Sequence, residues 1–69
     1  MLVDEIKIGT ILHHQPRNHN YKVLYRTMIK SDQKGKSWEY GWAYQEVDKL
    51  ESEIYSRPDS LFDSDWSIV

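Results

Sequence analysis

Four aromatic residues at alternate positions, Trp38, Tyr40, Trp42 and Tyr44, set the tightest bound on the fold of this chain. A repeat of two brings all four rings to one side of a β-strand, whereas a helical repeat would scatter them around its circumference. The intervening Glu39, Gly41, Ala43 and Gln45 form the other side, where Gly41 and Ala43 leave room for a second sheet or a partner to approach closely. The spacing therefore predicts a strand over 37–47, and a mainly β fold around it.

The preceding segment alternates as strongly. Tyr21, Val23, Tyr25, Thr27 and Ile29 are expected on one face, with Lys22, Leu24, Arg26, Met28 and Lys30 on the other. Apolar residues on both faces suit a curled sheet or small barrel. The polar stretch at 31–36 reads as a hairpin turn in which Gly35 supplies a positive φ. Upstream, residues 6–13 read as a first strand bent near Gly9. Pro16, Asn18 and Asn20 mark the following loop.

Beyond Val47 the pattern supports two readings. Val47, Leu50 and Ile54 have the spacing of a short amphipathic helix. Alternatively 48–51 turns and 52–57 returns as a strand, which Pro58 favours because it pushes Arg57 toward extended geometry. Residues 58–62 suggest one 3-10 or helical turn carrying Leu61 and Phe62 toward the core. Trp66-Ser67-Ile68-Val69 alternates as a last strand. The expected architecture is thus a small curled antiparallel sheet or barrel of four to five strands, one domain over 1–69 with its core at 6–69.

A chain of 69 residues without cysteine has neither disulfide nor thiolate metal ligand to hold it, so large side chains must do that work. It carries nine aromatic residues, each able to bury about 150–250 Å². That exceeds the need of so small a core, and the surplus rings are expected on the surface as material for binding. The acidic start of the chain and the lack of a long apolar run argue against a signal peptide and a membrane span, so a cytoplasmic setting is expected.

Charge is unevenly distributed. Residues 1–45 hold seven Lys/Arg against four Asp/Glu, and residues 46–69 hold two against seven. The acidic half argues against a general nucleic-acid binder, while offering a patch to a basic partner.

Catalytic motifs are missing from the sequence. No Gly-x-Ser-x-Gly elbow or acylating Ser-x-x-Lys context occurs, and Gly9, Gly35 and Gly41 lie too far apart to cradle a phosphate. His13 and His14 would point to opposite faces of a strand. His14 and His19 meet only if the Pro16 loop brings them together with an acid. Neither an enzyme, a metal site nor a cofactor is expected.

Binding is the function the residues favour. The reading is a protein-binding module, adaptor or inhibitor, using Tyr25, Trp38, Tyr40 and Trp42 as rigid anchors with Asp63 and Asp65 as charged contacts. The alternative is nucleic-acid binding through Arg17, Lys22, Arg26, Lys34 and Lys36, with the rings as stacking platforms. A homodimer through exposed rings or sheet edges is a further expectation.

The ordered set Gly9-x-x-x-His13, Tyr21-x-Val23-Leu24, Ala43-Tyr44 and Arg57-Pro58-x-x-Leu61-Phe62 resembles an uncharacterised family of very small SH3-like β domains of bacteria and their phages. The resemblance covers residues 8–62. It implies a curled antiparallel sheet in which the turn at Arg57-Pro58 packs Phe62 beneath it. It also implies a phage or bacterial origin, with Tyr21, Val23, Tyr44 and Phe62 in the core. It carries no activity over. The longer connection between His13 and Tyr21 and the insertion at 31–36 depart from the family pattern.

Overall fold

A computed structural model describes residues 3–30, 35, 37–49 and 51–69. Five strands form one open antiparallel sheet: β1 (Ile11–His14), β2 (His19–Lys30), β3 (Trp38–Glu46), β4 (Ile54–Pro58) and β5 (Trp66–Ile68). Their spatial order is β4-β3-β2-β1-β5. Val3–Glu5 and Asp59–Leu61 are 3-10 turns, and no α-helix occurs among the described residues. The mainly β, curled antiparallel expectation holds. Of the two readings after Val47, the returning strand is the one adopted; Leu50 lies outside the described residues. No helix is long and apolar enough to cross a membrane among the described residues.

Short connections explain the order of the central strands, since each of β1–β2, β2–β3 and β3–β4 is an antiparallel neighbour of the next. Asn18 and Asp48 adopt positive φ, 54° and 68°, as short polar side chains can in tight turns. Gly35 does the same at 82°. Only β5 comes from afar, after the Pro58 turn, to pair with β1.

The strict alternation expected along β2 breaks at Leu24. Val23 lies opposite Tyr44 and Tyr25 opposite Ala43, so Leu24 is an extra residue in a β-bulge. Every side chain after it changes face. Tyr25, Thr27 and Ile29 leave the side of Tyr21 and Val23, and Arg26, Met28 and Lys30 take their place opposite Trp42, Tyr40 and Trp38. The first strand is also shorter than expected. Thr10 closes a turn on Lys7, its backbone N–H donating to the Lys7 carbonyl at 3.0 Å and its hydroxyl accepting from the Lys7 N–H at 2.9 Å. Residues 8–9 are therefore turn, and β1 begins at Ile11.

The inner face holds the core: Leu12, Tyr21, Val23, Trp42, Tyr44 and Trp66, with Ile6 and Phe62 packed against them. Tyr44 and Trp66 meet edge-to-face at 5.4 Å, as do Phe62 and Trp66 at 5.2 Å, the geometry that aromatic quadrupoles favour. Phe62 follows the Asp59–Leu61 turn and is buried. Leu61, expected beside it in the core, is 48% exposed instead, because the turn has room to direct only one of two adjacent side chains inward.

Gly41 marks the tightest approach of two strands. A Cβ there would collide with the Arg57 carbonyl oxygen and Ile29 Cδ1. Lacking one, β3 lies close against β4 while Ile29 covers it from the outer face.

Candidate functional site

The twelve residues of β2, at about 3.3 Å each, account for the 37 Å long axis of the molecule. β1 pairs with β2 only from His19 to Lys22, and β4 leaves β3 at Gly41. Beyond those points β2 and β3 continue as a two-stranded arm. On the inner face of this arm the register places Met28 beside Tyr40 and Lys30 beside Trp38. Trp38 is 56%, Tyr40 58% and Met28 46% exposed.

Cations border these rings. The Arg26 guanidinium sits 4.9 Å from the Tyr40 ring centroid and 4.8 Å from that of Trp42. It also donates two hydrogen bonds, 2.7 and 2.8 Å, to the Asp59 carboxylate. Lys30 Nζ lies 5.4 Å from the Trp38 ring. All three cation–ring contacts fall within cation–π range. Glu39 faces away from the rings and accepts a 2.9 Å hydrogen bond from Ser60.

The residues expected to bind a protein are thus divided. Trp38 and Tyr40 share the exposed arm. Trp42, in the same row, is buried where the arm joins the core. Tyr25 is exposed on the opposite face because of the bulge. Asp63 and Asp65 lie in the loop before β5, next to Trp66, and Trp66 pairs with His14 at the end of the sheet away from the arm. The basic residues of the nucleic-acid alternative do not form a track. Arg17 is in the β1–β2 loop, Lys22 is on the outer face, and Arg26 has its own carboxylate. Lys34 and Lys36 lie outside the described residues. Folding also interleaves the charge division, since Arg26 pairs with Asp59, and His19 Nδ1 lies 3.4 Å from the Glu46 carboxylate.

A second feature lies at the other end. The curl brings the edge strands β4 and β5 toward each other across the core, so that the Arg57 guanidinium lies 5.0 Å from the Trp66 ring. Between them is a cleft of about 260 Å³ lined by His14, Arg17, Tyr44, Tyr55, Arg57 and Trp66, with Tyr21 and Ser56 completing it. Arg57 donates to the Tyr44 hydroxyl at 3.3 Å and to the Leu61 carbonyl at 3.2 Å. The members of the cleft come from all five strands, with Arg17 from the β1–β2 loop, so its assembly depends on non-local pairing.

His14 and His19 are cross-strand partners, but their rings diverge. His14 stacks on Trp66 at 4.4 Å, while His19 turns to Glu46. Burial, then the positive charge of Arg57, lowers the His14 pKa below its ordinary 6.5; Arg17 adds to this, and Asp65 and Asp63 oppose it. No group of three side chains suited to a metal ion occurs among the described residues. His13 hydrogen-bonds Asn20 at 2.7 Å on the outer face.

Compared with known proteins, the chain matches no family model, no curated protein and no solved structure.

Proposed function

We propose that this chain is a non-enzymatic protein-binding module, an adaptor or inhibitor, that engages its partner through the exposed inner face of the β2–β3 arm. One observation carries the reading. Trp38, Tyr40 and Met28 stand side by side, about half exposed, on two hydrogen-bonded strands. Rings held on strands lose little conformational freedom when covered, and Trp and Tyr are the side chains that most often dominate binding energy. Lys30 and the Arg26–Asp59 pair border the apolar surface as a polar rim does. The partner is a protein with an apolar depression and an acidic group opposite Lys30. The proposal extends to membership of the small SH3-like β domains of bacteria and phages, which the curled sheet and the buried Phe62 support.

A photo-crosslinking side chain introduced at Tyr40 tests this in the native host lysate, with the same group at Ile54, an exposed position on the outer face, as control. A discrete protein adduct at Tyr40 and none at Ile54 is the expected result. Equal labelling at both positions, or adducts to nucleic acid in place of protein, overturns it.

A further inference from the structure

The cleft between the edge strands is built differently from the arm and does not depend on it. Its lining holds two guanidinium groups and no carboxylate. Among the described residues neither Arg17 nor Arg57 makes an ion pair, whereas Arg26 on the same sheet is matched by Asp59. Asp63 and Asp65 act on His14 from the neighbouring loop but lie outside the lining.

Arg57 is also held in position. The Tyr44 hydroxyl, the Leu61 carbonyl and the Trp66 ring fix its plane. All three are neutral, so the positive charge of a half-buried side chain is left uncompensated. A clamped guanidinium loses little freedom when an anion meets its remaining donors, and its planar fork suits phosphate or carboxylate oxygens.

We propose that this cleft binds a phosphomonoester. The phosphate sits between Arg57 and Arg17, and the flat or apolar body of the ligand lies against Tyr55 and Tyr44. Two cations without an acid favour a dianion over a carboxylate. The volume, about 260 Å³, falls just below the usual range for small-molecule pockets and suits one charged group with a ring, not a length of polynucleotide. An aryl phosphate and a 5′-mononucleotide present the same chemistry from two sources.

Amide NMR of the full chain, titrated separately with phenyl phosphate, a 5′-mononucleotide and benzoate, tests the assignment. Saturable shifts centred on His14, Tyr55, Arg57 and Trp66 are expected for at least one monoester, with a dissociation constant on the order of millimolar or tighter. The tighter of the two monoesters identifies the source. Arg57→Gln weakens binding about tenfold or more. Arg57→Lys, which keeps the charge and loses the fork, falls between, and Arg17→Gln weakens binding without disturbing a residue that supports the fold. Lys7→Gln removes one charge from an exposed turn outside the cleft and leaves binding unchanged. Absence of saturable shifts, benzoate binding as tightly as the monoesters, or equal weakening by Lys7→Gln and Arg17→Gln overturns the assignment.

Discussion

Arg26 shows how one side chain can serve both fold and surface. Its guanidinium stacks between Tyr40 and Trp42 and pairs in a two-pronged contact with Asp59. At 38% and 30% side-chain exposure, solvent screens much of that attraction. A double-mutant cycle with Arg26→Gln and Asp59→Asn is expected to give a coupling of about 0.5–1 kcal/mol, smaller at high salt. Gly41 is less forgiving. Gly41→Ala places a methyl against the Arg57 carbonyl and Ile29, and urea denaturation should show a loss of about 3 kcal/mol. His14 gives the fold a pH dependence. Its pKa is lowered in the folded chain, so below the ordinary 6.5 the unfolded chain binds the proton more readily. The stability it contributes is complete above 6.5 and is lost as pH falls toward the lowered value. Stability measured by urea between about pH 5 and 8 should show that slope, and His14→Gln should remove it.

Among the elements, the bulge at Leu24 decides the most. The alternation of β3 was legible because Trp38 to Tyr44 run without interruption, and strand, face and hairpin all follow from it. β2 misled, because an extra residue leaves no mark in a sequence whose two faces are both partly apolar. Tyr25 and Arg26 are each credible on either side. Deleting Leu24 removes the extra residue and leaves the register in place, with Tyr25 still opposite Ala43 on the outer face and Arg26 still opposite Trp42 beside Asp59. Such a chain is expected to keep cooperative thermal unfolding and amide NMR dispersion; loss of both would show that Leu24 is not the extra residue in the ladder. The strand β4 was legible as one of two readings because Pro58 limits Arg57. The cleft was not legible, since it needs β4 and β5, at opposite edges, to curl toward each other, and no local pattern records that approach.

For the whole molecule, a 69-residue chain without cysteine places its aromatic residues in two populations. Trp42, Trp66, Tyr21, Tyr44 and Phe62 form the core, while Trp38, Tyr40, Tyr25 and Tyr55 remain 42–58% exposed. The excess of rings over core was readable from composition, but which rings belong to which group required the register and the bulge. In the proposed function the outer half of the arm is a surface for contact and contributes little to folding. The unfolding free energy of the Trp38→Ala/Tyr40→Ala double variant tests this most directly. The predicted value lies within about 1 kcal/mol of the parent chain, as for paired surface substitutions. A loss of about 3–5 kcal/mol, the cost of truncating a buried ring, would contradict it.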